Sequence, residues 1–185
     1  RFYLPHGLAL AGGALYVADR SNHVIRRLAA GSVTTHAGSG VSGARDGALL
    51  QARFHRPLDI HRGADGALYV ADSYRVVRLS GGKATTLAGG PKPGYANGPA
   101  ANAYFGVIAG VVRTASGAIF ISEGMSDRLR VLDGGVVSTV SDGGGYIDGE
   151  LSKCRVSDTW GIVEGAGGRV IFADSGNHSI RVFLP

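Results

Sequence analysis

Three observations predict an all-β fold assembled from repeated four-stranded antiparallel sheets. The first is a text that recurs four times. It reads Ala14-Leu-Tyr-Val-Ala-Asp-Arg-Ser-Asn-His-Val-Ile-Arg26, then Ala67-Leu-Tyr-Val-Ala-Asp-Ser-Tyr-Arg-Val-Val-Arg78. The later copies are Ala118-Ile-Phe-Ile-Ser-Glu-Gly-Met-Ser-Asp-Arg-Leu-Arg130 and Arg169-Val-Ile-Phe-Ala-Asp-Ser-Gly-Asn-His-Ser-Ile-Arg181. Their acidic anchors Asp19, Asp72, Glu123 and Asp174 are spaced by 53, 51 and 51 residues, and a fixed period of this kind marks a repeat architecture. The second observation is the 31 glycines set between short apolar runs, the pattern of many turns joining many short strands. The third is an apolar content of 44%, which excludes a disordered chain. Such units bury their faces only by stacking on neighbours, and radial stacking of four-stranded sheets is the β-propeller arrangement. A leucine-rich solenoid needs a period of about 20–29 residues, and helical repeats need helical periodicity. Neither fits.

In the first copy Pro5 to Leu10 reads as a strand, and Gly12-Gly13 turns it into Leu15-Tyr16-Val17-Ala18. Arg20-Ser21-Asn22 is a tight polar turn. Val24 to Leu28 returns as a third strand, and Ser32 to His36 follows Gly31 as a fourth. Short turns between successive strands give an antiparallel meander. A longer connection carries Asp46-Gly47 and ends at Phe54, and Asp46 is placed to cap a single helical turn there. Asn97-Gly98-Pro99 and Asp148-Gly149-Glu150 keep a capping type at the same place, with Pro99 in the first turn. The blades span residues 2–37, 54–88, 105–140 and 156–185, and residues 1–185 form one partial propeller without an internal linker. Strand counts are four, four, four and three.

The net charge of +5 comes from scattered basic residues, without a run that would form a nucleic-acid or membrane patch. Nucleic acid is therefore not an expected partner. Apolar runs fall far short of the roughly 18 residues of a membrane span. The single cysteine, Cys154, excludes an internal disulfide framework and a CxxC metal site.

The recurring Leu-Tyr-Val-Ala-Asp, Asn-His-x-Ile-Arg, Thr-Thr-x-Ala-Gly and Asp-Gly-x-x-x-x-Ala-x-Phe elements resemble NHL repeats of the long kind with an Asp-Gly insertion. Asn22-His23 with Leu28, and Asn177-His178, match the name-giving residues, whereas Tyr74 and Asp127 replace the histidine in the middle copies. The resemblance covers essentially the whole chain and implies a propeller of usually six blades, about 24 strands. The present strands make about 3.75 blades, so the chain is expected to be part of a larger ring. Remaining blades or a second copy would close it. The resemblance also leans toward a secreted, lumenal or cell-surface setting.

The acid–arginine pairs Asp19/Arg26, Asp72/Arg78, Glu123/Arg130 and Asp174/Arg181 flank a hairpin in every copy, and a repeated pair points to a structural cross-strand role. His23 and His178 occupy equivalent turns of separate blades, which point apart and do not converge on a metal. Gly38-Ser39-Gly40-Val41-Ser42-Gly43 spells G-x-G-x-x-G but joins two antiparallel sheets, where a dinucleotide site would need a βαβ unit. No catalytic, cofactor-binding or metal-ligating set is expected, and no cofactor.

Positions where the copies disagree are the better pointers to a site. At the start of the first strand they read His6, Leu58, Ala109, Trp160 and, next to these, Gly7, Asp59, Gly110, Gly161. With the loop residues Arg45, Arg56, Tyr74, Tyr95 and Tyr146, the exceptions His6, Asp59 and Trp160 form a candidate binding face, because Arg and aromatic residues are favoured at binding hot spots. The expected function is a non-catalytic scaffold that docks protein partners on this loop-bearing face. The alternative implied by the resemblance is a lyase or hydrolase with a metal in the channel, for which only His6 and Asp59 qualify. A single-stranded RNA-binding domain is the third reading.

Overall fold

The computed structural model describes residues 1–149 and 153–184. Glu150 and Pro185, both included in the repeat reading above, lie outside the described residues. The chain is an all-β propeller arc of four blades. Blade 1 contains β1 (Pro5–Ala11), β2 (Ala14–Asp19), β3 (Val24–Ala29) and β4 (Ser32–Ala37), paired in that order. A two-residue strand, β5 (Gly47–Ala48), precedes blade 2, which contains β6 (Pro57–Arg62), β7 (Leu68–Asp72), β8 (Arg75–Ser80) and β9 (Lys83–Gly89). Likewise β10 (Gly98–Pro99) precedes blade 3, with β11 (Ile108–Arg113), β12 (Ile119–Glu123), β13 (Arg128–Asp133) and β14 (Val136–Asp142). Blade 4 has β15 (Thr159–Glu164), β16 (Val170–Asp174) and β17 (Ser179–Phe183). Every pairing within a blade is antiparallel. The first strands β1, β6, β11 and β15 run side by side as the inner wall.

The Asp-Gly insertion does not form the capped helical turn expected from sequence. Gly47 and Gly98 begin short strands that pair with the outermost strands β9 and β14 of the following blade, through Gly47↔Ala84 and Gly98↔Val137. A 3-10 turn follows each, at Leu49–Gln51 and Ala100–Asn102, without a side-chain cap. Asp46 is occupied elsewhere, accepting from the Thr86 N–H at 2.7 Å and from its hydroxyl at 2.8 Å. The outer edges of β9 and β14 offered unpaired backbone groups, and the insertion satisfies them.

Each gap between blades holds its own apolar core. Ala18, Ile25, Ala52 and Phe54 pack on Ile60, Val70 and Val77 between blades 1 and 2. Ala71, Val76, Ala103 and Phe105 pack on Ile108, Ile121 and Val137 between blades 2 and 3. Leu129, Val140 and Val156 pack on Ile162 and Phe172 between blades 3 and 4. The insertion thus delivers a wedge, Phe54, Phe105 or Val156, into each gap. The G-x-G-x-x-G stretch serves this packing. Gly38 has φ 99°, and a Cβ there would lie 2.7 Å from the His23 carbonyl and 3.1 Å from the Phe54 ring. Gly89 is confined in the same way beneath Tyr74 and against Phe105. No helix among the described residues is long and apolar enough to cross a membrane.

Phe105 is fully buried, so Phe105→Ala is expected to cost about 3–5 kcal/mol. Leu50→Ala, on the exposed side of the same kind of insertion, should change stability by less than about 0.5 kcal/mol. Equilibrium urea unfolding of the two variants checks the contrast.

Candidate functional site: the loop-bearing end of the blades

The end of the molecule that carries the β2–β3 type corners is held by one repeated polar arrangement. In each blade the second strand ends on an acid that is withdrawn from solvent: Asp19, Asp72, Glu123 and Asp174 are 0–1% exposed. Each carboxylate accepts the backbone N–H of the residue entering its own blade, from Tyr3, His55, Gly106 and Ser157 respectively. In blades 1 and 4 the Asn of the Asn-His pair also donates to it, Asn22 Nδ2 at 2.8 Å and Asn177 Nδ2 at 3.0 Å. A buried carboxylate is tolerated only when its lone pairs are satisfied in this way.

An arginine completes the arrangement and ties in the insertion. Arg130 is fully buried and lies 2.5 Å from Glu123, and its other donors reach the Ala96 carbonyl at 2.9 Å and Asn97 Oδ1 at 2.7 Å. Arg181 bridges Asp174 at 2.9 Å and Asp148 at 2.8 Å, and donates to the Arg155 and Ile147 carbonyls. In blade 1 the pair is looser, with Arg26 3.8 Å from Asp19 and bonded to Thr35 Oγ1 at 2.6 Å. No insertion segment precedes this arginine among the described residues.

Blade 2 departs from the expected Asp72/Arg78 pair. Asp72 pairs with Arg75 at 2.9 Å, while Arg78 meets Asp65 at 3.1 Å. The corner here is the two-residue turn Ser73-Tyr74, which sets Asp72 directly opposite Arg75. In the other blades the acid faces Val24, Arg128 or Ser179, and the arginine comes two residues later. Asp72 and Arg78 are six residues apart where the other pairs are seven, and one residue flips a side chain to the other face of a strand. That spacing was the available signal. Arg75 also binds Asp46 at 2.9 Å and the Arg53 carbonyl at 2.6 Å, so the same insertion is secured from a different register. Burial raises the Asp72 carboxyl to about 6, opposed by the charge and hydrogen bond of Arg75 and by the His55 N–H.

Above this framework the corner residues contact the next blade. His23, in left-handed conformation at φ 57°, accepts the Arg56 backbone N–H at Nδ1, 3.2 Å away. Asp127, at the same position of blade 3 with φ 53°, accepts the Asp158 N–H at 2.7 Å. Histidine and aspartate thus do one job, an acceptor reaching across a blade gap, which explains their exchange between copies. Burial, His55 and Arg56 all lower the His23 pKa, in keeping with an acceptor nitrogen.

The rings of His23, His55 and Tyr74 form a chain across blades 1 and 2, with centroids 6.4 and 6.0 Å apart. Arg56 stands exposed beside it with φ 59°. Sequence reasoning singled out Arg56 and Tyr74 but not His55, which occupies a column reading Tyr3, His55, Gly106, Ser157. The disagreement within that column was a usable signal. Trp160 is 38% exposed and its indole N–H donates to Asp158 at 2.8 Å. His6 is exposed on β1.

Asp59 sits deeper than a binding-face residue. Its carboxylate accepts the Val111 N–H of β11 at 3.0 Å, and a Cβ on Gly7 of β1 would come within 2.5 Å of it. It therefore links the inner strands of three blades. Burial raises its pKa, against hydrogen bonds from the Val111 and Ile60 N–H groups and the nearby His61. Burial also lowers the His61 pKa.

Arg45, Tyr95 and Tyr146 lie on the outer rim, in the insertion segments. Arg45 pairs with Arg53 across its segment. The Tyr95 ring lies 4.0 Å from the Arg128 guanidinium and 4.9 Å from that of Arg130, and Tyr146 covers Arg181 at 5.0 Å. The predicted face thus divides into a central zone, with Arg56, Tyr74, His6 and Trp160, and a rim zone above the hub arginines. Among the described residues, no three His, Cys, Asp or Glu side chains gather as a metal set.

The fold is a β-propeller, and residues 2–28 match the NHL repeat family. The chain is similar to a structural genomics protein of unknown function from Bacteroides thetaiotaomicron, at 22% identity and a TM-score of 0.77, over 96% of this chain and 46% of that one. It is similar also to an auxiliary nutrient binding protein from Bacteroides thetaiotaomicron, at 16% identity and a TM-score of 0.71, over 91% of this chain and 44% of that one. A virginiamycin B lyase from Staphylococcus aureus matches at 15% identity and a TM-score of 0.60, over 97% of this chain and 55% of that one. These likenesses are of fold alone, and the chain spans about half the length of the structures it matches. No curated protein matches it.

Two outcomes test the framework. Arg130→Ala breaks a fully buried pair and should cost about 3–5 kcal/mol, whereas Arg78→Ala, in a half-exposed pair with Asp65, should cost less than about 1 kcal/mol. Urea unfolding measures both, and comparable losses would refute the register described for blade 2. The second outcome concerns pH. The raised pKa of Asp59 means the folded state holds its proton more tightly than the unfolded chain. Its favourable contribution is complete below the ordinary carboxylate range and is lost as pH rises through the raised value. The urea midpoint of Asp59→Asn should therefore fall less than that of the native sequence between about pH 4 and 7.

Proposed function

We propose that this propeller arc is a non-catalytic recognition platform that docks a protein partner on its loop-bearing end. The observation that carries the reading is the central zone, where the His23–His55–Tyr74 ring chain and the exposed Arg56 stand on a corner held rigid by the buried Asp72–Arg75 pair. Exposed Tyr3 and Met125, at 61% and 82%, and partly exposed Trp160 extend the same end. Aromatic and arginine side chains fixed by a rigid scaffold have little freedom to lose on binding, which favours their use as anchors. The NHL repeat and the propeller arrangement supply the scaffold. The partner, and the ring that the remaining blades or a second copy would complete, belong to the proposal. So does a secreted, lumenal or cell-surface setting.

One observation favours a second reading, an enzyme working on the inner wall. Asp59 is a buried carboxyl with a raised pKa beside His61, a combination used for proton transfer. The lyase among the structural neighbours keeps this reading in view. The Val111 N–H and the Gly7 contact already give Asp59 a structural task, so we rank it second. RNA binding ranks third, because the central zone pairs its rings with few cations.

Photo-crosslinking side chains placed at Tyr74 and Met125, on the loop-bearing end, are expected to capture a defined partner that placements at the opposite-end turns Gly66 and Gly134 do not. Tyr74→Ala and Arg56→Ala should each weaken that partner's binding about tenfold, with the melting temperature unchanged. Capture confined to the opposite end, or affinity indifferent to both substitutions, would sink the reading. A steep loss of binding with added salt would favour nucleic acid instead.

A further inference from the structure

Blades 1 and 2 close on each other differently from blades 2 and 3. In the gap between blades 2 and 3, Tyr69 of β7 is 2% exposed. Its hydroxyl donates to Asp65 at 2.8 Å, the Arg113 guanidinium lies 5.8 Å from its ring, and Leu87 packs on the same core. Asp65 comes from the turn of residues 63–67 that joins β6 to β7. The tyrosine is thus held at both its polar and its apolar end, and the gap is filled.

Blade 1 has Tyr16 at the position of Tyr69, opposite Arg27 as Tyr69 is opposite Arg78. Its β1–β2 turn is Gly12-Gly13 alone, so no aspartate reaches the hydroxyl, which bonds to none of the described residues. The bulge residue of the outermost strand also differs. Leu87 lies between Thr86 and Ala88 in β9, whereas His36 lies between Thr35 and Ala37 in β4. The Tyr16 ring stands edge-on to His36, with centroids 4.8 Å apart at 77°, and both side chains are half-buried. Beside them a cavity of about 190 Å³ lies between blades 1 and 2. Leu68 and Leu79 of blade 2 and Leu49 of the insertion form its apolar wall, and the Gly81-Gly82 turn borders it. The Leu49 N–H holds that turn by the Gly82 carbonyl, 3.1 Å away. All of these residues belong to the two blades or to the segment that joins them.

We propose that this cavity is a small-molecule site for an uncharged single-ring compound of the phenol class. An interior cavity of about 150 Å³ accepts benzene, so the present volume holds one six-membered ring and a small substituent. Among the described residues no charged side chain lines the cavity, so an ionised ligand would enter without a counter-charge. The leucines take the body of the ring, and the Tyr16 and His36 rings offer it the edge-to-face contacts that aromatic groups favour. Burial and the nearby Arg27 lower the His36 pKa, so the imidazole is neutral at pH 7 and has one donor and one acceptor nitrogen. A phenolic hydroxyl also donates and accepts, and it matches the Tyr16 hydroxyl and the imidazole together. Few polar groups set in an apolar wall are the ordinary composition of a ligand pocket. The cavity lies by the opposite-end turns Gly66 and Gly81-Gly82, and it does not depend on the reading of the loop-bearing end.

The test titrates the nitrogen-15-labelled chain with phenol and follows the amide proton–nitrogen correlation spectrum. The amides of Leu49, Gly66, Gly81 and Gly82, which border the cavity, should shift saturably. Their counterparts in the next gap, Ala100, Gly117, Gly134 and Gly135, should not. His36→Leu installs the residue type of Leu87 and should weaken phenol binding at least tenfold. Its melting temperature should hold or rise, because an apolar side chain then fills the space. Tyr16→Phe keeps the ring and removes the hydroxyl, so it should weaken phenol about fivefold and leave benzene binding unchanged. No saturable shift at the four amides, or phenol affinity indifferent to His36→Leu, overturns the proposal. Equal losses of phenol and benzene in Tyr16→Phe overturn it too, by showing that the ligand hydroxyl is not recognised.

Discussion

A carboxylate shut away from water at the end of the second strand is the constraint on which each blade depends. Left alone such a group would cost several kcal/mol and favour its protonated form. It is kept by converging donors: the N–H of the chain entering the blade, an arginine from the third strand, and in two blades the asparagine of the corner. Those donors come from different parts of the repeat, so satisfying one buried charge draws the entry segment and the hairpin together. The arginine's spare donors then reach the insertion arriving from the preceding blade. Blade is joined to blade by the group that most needs partners.

This arrangement separates the task of holding the backbone from the task of presenting side chains. Corner positions differ among copies, as His23, Tyr74, Asp127 and His178 do, yet His23 and Asp127 both accept an N–H of the following blade. The entry columns vary more freely, from Leu58 and Ala109 buried against neighbours to an exposed His6 and a half-exposed Trp160. The side chains at these tips differ from blade to blade while the carboxylates below keep the same partners.

The two ends of the arc follow from the same stacking rule. Apolar wedges fill all three internal gaps. The outward faces of blades 1 and 4 expose Leu8, Leu10, Ile180 and Val182 by more than half. A blade buries one face on each neighbour, so a face without a neighbour leaves side chains of core type in solvent.

The sequence by itself determined the blades, their strand order and their turns, because strand alternation and turn glycines are local signals carried within ten or so residues. It also marked the buried acids through their period. Contacts between distant residues were decided only by the tertiary structure. Asp46 reads locally as a helix cap, but Thr86, 40 residues on, offers it both an N–H and a hydroxyl. His23 reads as a surface turn, but Arg56, 33 residues on, makes it a link between blades. The Asp72 partner turned on a corner two residues shorter than the others, which sets Arg75 opposite Asp72 and leaves Arg78 three residues further along the strand, on its other face. Local pattern says which residues form a strand. Which of their polar groups find one another is settled by packing, because a buried donor or acceptor takes whatever partner the assembled blades bring within reach.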